Sequence, residues 1–167
     1  MKGILLAFFI ILITTSCSDN NQALDSNDTI SINGTIYKKG TSELFTGKVI
    51  TRHKNGQIIR ESNYKNGKEH GESVFYFLNG DKEFMANFKN GIEHGTTTFW
   101  RKNGHKKIEL NYKDGALDGQ KTWFFSNGEK MKRYHYKNNQ LEGKSTWWDQ
   151  VGKIWEEKIF KNNEEIK

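Results

Sequence analysis

The chain contains no proline and only one cysteine, and both shortages limit what it is able to be. Without proline, its turns have to be built from glycine, asparagine and aspartate, which accept the backbone angles of tight turns. A lone cysteine excludes an internal disulfide framework. Hydrophobic residues make up only 34% of the chain, and many of them fall among the first sixteen positions. This low hydrophobic content argues against the thick core of an α/β enzyme.

Aromatic residues and positive charge are what the chain does have. Aromatic side chains reach 13%, whereas disordered chains are poor in them, so we expect a folded body whose apolar area is carried on large rings. The 167 residues suggest about one domain. The formal net charge is +6, and the basic residues are spread along the sequence instead of clustered. This pattern favours contact with anionic surfaces but does not predict a nucleic-acid partner.

The first seventeen residues, MKGILLAFFIILITTSC, have the pattern of an export signal. Lys2 is followed by an apolar run, 4–13, that is too short to span a bilayer as a mature helix. Small residues then precede Cys17, which resembles a bacterial lipoprotein signal with a cysteine that becomes acylated. We therefore predict a signal-peptide helix at 1–16 and lipidation of Cys17, with the protein anchored to a bacterial membrane, the outer membrane or the cell surface. The alternative is an ordinary secretory signal beside a chance cysteine.

Two short segments separate this signal from the repetitive part of the chain. Residues 17–33 are rich in Asn, Asp and Ser and show no periodicity, which predicts a polar tether between lipid and folded body. Residues 34–46, GTIYKKGTSELFT, look like a degenerate partial repeat.

The rest of the chain repeats with a period of 24 residues. Glycine recurs without slippage at Gly47, Gly71, Gly95, Gly119 and Gly143. A second series is Gly56, Gly80, Gly104, Gly128 and Gly152, and a third is Gly67, Gly91, Gly115, Asn139 and Asn163. Five copies without a gap predict a repeat architecture, with copies at 47–70, 71–94, 95–118, 119–142 and 143–167.

Each copy has the pattern of a β-hairpin. In the third copy Ile108, Leu110 and Tyr112 alternate with polar residues, as in a half-buried strand. Asn103-Gly104 separates this run from the apolar run before it, which predicts a two-residue hairpin turn. We therefore predict an all-β fold, in which about five 24-residue antiparallel hairpins form one elongated, twisted meander sheet. Whether that sheet stays open or closes on itself is left undecided.

The consensus GxxxxFWxxNGxxxxxxxYKxG, which runs through the copies from Gly47 to Lys167, resembles the MORN-repeat variant of bacterial proteins. Members of this group are often labelled as the YwqK family of antitoxins. The resemblance implies a sheet of successive hairpins used for contact with proteins or membranes. It also implies an antitoxin or immunity role as one alternative.

Two rows of rings are expected on opposite faces of the sheet. Pairing across the Asn-Gly turn places Phe99 opposite Ile108, and its equivalents form an apolar ridge that we assign to the better-buried face: Phe75, Phe99, Trp123 and Trp147. The following residues point the other way and make a candidate binding strip: Tyr76, Trp100, Phe124, Trp148 and Trp155. These rings either stack on one another between copies or grip a partner as an exposed strip, and the two roles are compatible.

Two further series lie at the connections between copies. A candidate basic row, spaced about 10 Å apart, consists of Lys65, Lys89, Lys113, Lys137 and Lys161. It is either a solvated row that aids solubility or a track for anionic headgroups or glycans. His70 and His94 occupy equivalent positions, but about 10 Å between their backbones is too far for a shared zinc ion to be expected.

These patterns favour a binding protein over an enzyme. No serine, histidine and acid recur as a fixed constellation, so we predict no catalytic residues, no cofactor and no metal. The leading hypothesis is a membrane-anchored repeat scaffold that contacts a protein partner in the bacterial envelope. The alternatives are a glycan-binding module, with Trp100 and Trp148 stacking on a polysaccharide, and an antitoxin or immunity protein.

Overall fold

The computed structural model describes residues 23–166, so the predicted signal peptide and Cys17 lie outside the described part. The strands of the N-terminal segment are β1 (Ala23–Asp25), β2 (Thr29–Ile32) and β3 (Thr35–Lys38), with a 3-10 turn at Ser26–Asp28. The strands of the repeats are β4 (Gly47–Arg52), β5 (Ile58–Lys65), β6 (Lys68–Tyr76), β7 (Lys82–Lys89), β8 (Ile92–Glu93), β9 (Gly95–Trp100), β10 (Lys106–Lys113), β11 (Ala116–Phe124), β12 (Lys130–Lys137), β13 (Gln140–Leu141), β14 (Gly143–Trp148), β15 (Ile154–Lys161) and β16 (Glu164–Ile166).

These strands confirm the prediction of an all-β repeat fold. Fourteen strands form one sheet in the order β1-β4-β5-β6-β7-β9-β10-β11-β12-β14-β15-β16, with β8 and β13 pairing beside it. The sheet stays open, because its first and last strands are not paired with each other. It is mixed and not purely antiparallel, because β1 runs parallel to β4. The remaining hairpin, β2–β3, forms a separate two-stranded sheet.

Two-residue turns occur between the copies, where the chain has KNG or a related triplet. Asp114 and Gly115 connect β10 to β11 with φ angles of 49° and 84°. Two successive positive φ angles define a type I′ turn, whose twist matches that of the flanking strands. The turn that we predicted at Asn66-Gly67 is of this kind, with φ angles of 50° and 74°.

The prediction of a two-residue turn at Asn103-Gly104 is wrong. Arg101 N–H donates to the carbonyl of His105, and Gly104 N–H donates to that of Arg101, both at 2.9 Å. The connection is therefore a longer loop, in which Gly104 supplies the positive φ that follows a type I turn. The predicted pair of Phe99 with Ile108 is nevertheless present, because a bulge between Lys106 and Ile108 restores the register.

The first glycine series marks bends in the strands. Gly71 has a φ of 86° inside β6, at the place where its register against β5 shifts between Ser62 and Tyr64. The amide of Asn63 donates to the carbonyl of Glu72 at 2.7 Å and so satisfies one group that this bulge leaves outside the ladder. The same shift occurs beside Gly119, between Leu110 and Tyr112, whereas at Gly95 and Gly143 the strand is divided, into β8 and β9 and into β13 and β14.

Successive type I′ turns are joined by backbone hydrogen bonds. Gly91 N–H donates to the carbonyl of Glu69 at 2.7 Å, and Gly115 N–H donates to that of Glu93 at 2.9 Å. Where asparagine replaces glycine, at Asn139, the side-chain oxygen also accepts from Leu117 N–H at 2.8 Å. The turns therefore form a bonded column along one edge of the repeats.

The segment predicted to be a free polar tether is part of the fold from Ala23 onward. Ala23–Asp25 is β1, and Thr29–Ile32 pairs with Thr35–Lys38. The Ile36 N–H donates to the carbonyl of Gly67 at 2.8 Å, and Phe45 is buried, with 3% of its surface exposed. The amino-acid composition of this segment did not predict these strands, because they are stabilised by contacts with the first repeat and not by hydrophobic residues of their own.

The buried positions are mostly small residues that lie between larger neighbours. Ala86 is fully buried between Phe84 and Phe88, which lie on the same face of β7. The other face has its own buried residues, Thr98 among them. The rings of the predicted ridge are only half-buried, so the assignment of the ridge to a better-buried face is corrected. Both faces bury a row of small side chains beneath larger ones that flank them.

Candidate binding surface

The residues of the predicted binding strip occupy equivalent positions at the ends of strands. Tyr76, Trp100, Phe124 and Trp148 are the last residues of β6, β9, β11 and β14. Each lies opposite the start of the next long strand, at the bulge beside the glycine loop. These four rings are half-buried, and Trp155 is 63% exposed. The strip therefore presents aromatic surface to solvent in every copy from the second onward.

Ring stacking occurs on the ridge face. Phe84 lies 5.4 Å from Phe75 and 4.7 Å from Phe99, measured between ring centroids. Tyr134 packs edge-on against Trp123 at 5.2 Å and against Trp147 at 5.4 Å. Among residues 23–166, no such pair joins two rings of the strip. The ridge rings thus stabilise one another, whereas the strip rings do not stack on one another in that part of the chain.

A shallow groove of about 510 Å³ begins at the strip between the second and third copies. Its lining includes Tyr76, Leu78, Glu83 and Lys102. Leu78 is 62% exposed. Partial burial raises the pKa of Tyr76, and the nearby Glu61 carboxylate adds to this, so the phenol stays neutral at pH 7 and acts as a hydrogen-bond donor. The groove is open and suits a surface contact more than an enclosed small molecule.

The predicted basic row lies at the opposite ends of the long strands. Its members are the residues immediately before the type I′ turns: Lys65, Lys89, Lys113, Lys137 and Lys161. All five are exposed. Within the described part of the chain, none of them has a carboxylate oxygen within 4 Å of its ammonium group. The row is therefore accessible, but it is separate from the aromatic strip, which ends the neighbouring strands.

The histidines considered for metal binding make hydrogen bonds between copies. The ring Nδ1 of His70 accepts from Asn90 N–H at 3.4 Å, and that of His94 accepts from Asp114 N–H at 3.3 Å. Glu142, at the equivalent position, accepts from Asn162 N–H at 3.1 Å. No group of three or more potential ligands is placed to hold a metal ion among the residues that the structure describes.

The first and second repeats share a polar network on the ridge face. Arg60 Nη2 lies 2.5 Å from Glu69 Oε1, which also accepts from Ser73 Oγ at 3.1 Å. Arg60 Nε donates to Ser62 Oγ at 2.7 Å, and its guanidinium lies 4.7 Å from the centroid of the Phe75 ring. This network holds the arginine in place, so it is a structural feature and not a free cation.

Sequence reasoning missed a concentration of cations in the fourth repeat. On the ridge face, Lys121 and Lys132 lie 4.9 and 4.5 Å from the ring centroid of Trp123. On the strip face, Lys130 and Arg133 lie 5.9 and 5.4 Å from that of Trp148. The expectation of evenly spread positive charge therefore fails at β12, whose sequence KMKRYHYK was the available signal.

The predicted membrane anchor is outside the described residues, so the structure does not place Cys17. Within residues 23–166, no helix is long and apolar enough to cross a bilayer.

Comparison with known proteins agrees with the repeat geometry. Five consecutive segments match the family described as MORN repeat variant: residues 45–66, 69–90, 93–114, 117–138 and 141–162. They keep the 24-residue period and begin two residues before the boundaries that the glycines suggest. No curated protein matches the chain. Because the matched segments cover more than half of the chain and coincide with the observed hairpins, this protein belongs to the MORN repeat variant family.

Proposed function

We propose that this protein is a non-catalytic repeat scaffold that is lipid-anchored through Cys17 to a bacterial membrane and binds a protein partner in the envelope. The anchor follows from the signal-like sequence MKGILLAFFIILITTSC. The binding role follows from the repeat sheet and its surface. The partner docks along the aromatic strip, and the sheet holds the rings in register.

One observation carries the binding role. The rings of the strip recur at the same strand-end position in successive copies, and no ring partner covers them among residues 23–166. Aromatic residues are enriched at protein interfaces because they supply a large contact area at low conformational cost. Trp155, with 63% of its surface exposed, is the most accessible member. A protein surface that crosses several copies contacts one ring in each.

The test compares two exposed apolar residues of the fifth repeat. Trp155 belongs to the strip, and Val151, which is 85% exposed, lies in a turn outside it. Cells that produce the full chain are treated with a crosslinker, and proteins joined to it are identified by mass spectrometry. We expect Trp155→Ala to lower the yield of a defined envelope protein several-fold and Val151→Ala to leave it unchanged. If intact cells yield no such protein, the proposal is rejected.

A polysaccharide ligand is the second candidate, and the free ring of Trp100 is the observation that favours it. Among the described residues, no cation lies over this indole, whereas two lie over Trp148. A flat, uncovered indole is a suitable platform for a sugar ring. Binding of surface polysaccharide that is lost in Trp100→Tyr would support this candidate over the protein partner. The antitoxin or immunity role stays a prediction, tested by deleting the gene beside an intact toxin gene.

A further inference from the structure

The fourth repeat combines an excess of positive charge with cations that have no carboxylate partner in the described part of the chain. Residues 119–142 include five basic and two acidic residues. In three other copies, cations on the sheet are neutralised by carboxylates: Lys48 by Glu61, Lys106 by Glu109 and Lys144 by Glu157. Among residues 23–166, no carboxylate oxygen lies within 4 Å of a cation of the fourth repeat. This hairpin therefore keeps an uncompensated positive potential.

Arg133 is at the centre of this potential on the strip face. It lies directly opposite Thr122 on β11 and Thr146 on β14. The equivalent positions in the other copies hold Glu61, Met85, Glu109 and Glu157. Arg133 is thus the one cation of a row that is otherwise acidic or apolar. Its guanidinium is fixed against an indole instead of against a carboxylate.

The surroundings of Arg133 leave its hydrogen-bonding capacity unused. Its Nε is buried and has no hydrogen-bond partner among the described residues. Its Cζ lies 5.4 Å from the centroid of Trp148, and Lys130 Nζ lies 5.9 Å from the same centroid. A guanidinium that lies against an indole, with no carboxylate beside it, offers its outer N–H groups to an anion as charge-assisted donors. Two cations at one indole make a site of defined position.

We propose that Arg133, Lys130 and Trp148 bind a carboxylate side chain in an acidic segment of a protein partner. This inference rests on the proposed function and adds the chemistry of the contact. The planar guanidinium takes a carboxylate through two parallel hydrogen bonds. The neighbouring Phe124, the strip residue of the fourth copy, contacts the apolar residues beside that carboxylate. Tryptophan and arginine are the residue types that dominate binding energy at protein interfaces.

Geometry favours a protein segment over a glycan or a membrane. The two cations lie over the Trp148 ring, so that ring is not free to stack on a sugar. Arg133 is half-buried in the middle of β12, where a narrow side chain reaches it and a flat layer of headgroups does not. The exposed lysines at the turns are better placed for a planar surface.

The repeats themselves suggest substitutions that the fold accepts. Arg133→Met introduces the residue that the second copy has at the equivalent position, Met85. Lys130→Ile introduces the residue that the first and fifth copies have there, Ile58 and Ile154. Lys89→Gln is the control, because it removes one exposed cation far along the sheet from the site. Circular dichroism of each variant confirms that the sheet is retained.

The experiment measures the anisotropy of a fluorescent octapeptide of alternating Glu and Phe, titrated with the full chain in neutral detergent. We expect Arg133→Met to weaken binding about ten-fold or more, in line with the loss of a charge-assisted hydrogen-bond pair. Lys130→Ile should weaken binding less than Arg133→Met does, and Lys89→Gln should change it less than about two-fold. A control octapeptide of alternating Gln and Phe, which lacks the carboxylates, should not bind. Equal effects of Arg133→Met and Lys89→Gln would overturn the proposal, because they would indicate non-specific charge attraction.

Two competitor ligands and the crosslinking experiment complete the test. The protein could instead bind polyglucuronate or phosphatidylglycerol vesicles more tightly than the Glu–Phe peptide, with that binding lost in Arg133→Met. This result would overturn the acidic segment as the ligand and assign the site to a glycan or a lipid surface. An envelope partner crosslinked equally well to Arg133→Met rejects this site and leaves the proposed function standing. Arg133-dependent peptide binding without any crosslinked envelope partner supports the site and rejects the proposed envelope function.

Discussion

The two glutamates at positions 69 and 93 offer a matched test of what holds the sheet together. They are one repeat apart, and the equivalent positions in the later copies hold Leu117 and Leu141. Glu69 has Arg60 as an ion-pair partner, whereas Phe84 stands at the position equivalent to Arg60 beside Glu93. We expect Glu69→Leu to destabilise the protein and Glu93→Leu to stabilise it, although the substitution and the position within the repeat are the same.

The expected magnitudes follow from these surroundings. Glu69→Leu removes an acceptor from Arg60 and from Ser73. Hydrogen bonds to charged groups contribute about 1.5–3 kcal/mol, and we expect about 1–2 kcal/mol because 34% of the Arg60 side chain and 22% of the Glu69 side chain are exposed to screening solvent. Glu93→Leu removes no such bond and adds roughly 20–40 Å² of buried apolar surface, about 0.5–1 kcal/mol of stabilisation.

The gain at position 93 should depend on pH. Burial raises the pKa of the Glu93 carboxyl above its usual value, so the folded state holds that proton more tightly than the unfolded state does. The cost of the ionised carboxylate is therefore absent below the unfolded pKa, about 4.3, and grows as pH rises through the folded pKa. The advantage of Glu93→Leu should thus be largest at pH 7 and smaller near pH 4.

Urea unfolding of the full chain in neutral detergent, followed by circular dichroism and tryptophan fluorescence, measures both variants. Two probes are needed because repeat arrays are able to unfold in stages. A difference of 1 kcal/mol corresponds to about 2–4 °C in Tm for a chain of this size. If both variants shift stability in the same direction by the same amount, the ion pair with Arg60 is not what distinguishes the two sites, and the reasoning fails.

Three further outcomes are expected. Gly67→Ala should cost about 1–3 kcal/mol more than Gly104→Ala in urea unfolding. Both glycines have a positive φ, but only a Cβ at position 67 would meet other atoms, the nearest in Thr35 at 2.6 Å. Equal losses would contradict close packing of Gly67 against the N-terminal hairpin. Asn139→Gly should lower the free energy of unfolding by about 0.5–1.5 kcal/mol, because the side chain loses its hydrogen bond with Leu117 N–H. An unchanged urea midpoint would show that this hydrogen bond does not stabilise the sheet. Cys17→Ser should move the protein from the membrane fraction to the soluble fraction of lysed cells; retention in membranes would refute lipid anchoring.

Much of the architecture was predictable because each repeat obeys local rules. Asn66-Gly67 predicts its turn from backbone chemistry alone, since these residue types tolerate positive φ. The alternation around Ile108 predicts the strand and its pair with Phe99. The loop at Gly104 was mistaken for a two-residue turn because the bulge that compensates for its extra residue has no sequence signature of its own.

The candidate surface was predictable in position but not in environment. Equal spacing places Trp100 and Trp148 in one strip, yet only Trp148 has cations over its ring. The same limit applies to the strand at Ala23–Asp25, which is a polar segment that pairs with a strand more than twenty residues later. Periodicity identifies equivalent positions, but it does not reveal which neighbours each position meets.

The sequence by itself determined the 24-residue period, the strands of the repeats, the turns between copies and the face on which each ring lies. These properties depend on backbone angles and on alternation, which are local along the chain. The tertiary structure decided which charges are paired. Glu69 has an arginine opposite it and Glu93 has a phenylalanine, while Arg133 lies between two threonines with no carboxylate within reach among the described residues. Most of these ion pairs join side chains from different strands, and the attraction weakens with distance, so only the arrangement in space distinguishes a neutralised cation from one available to a partner.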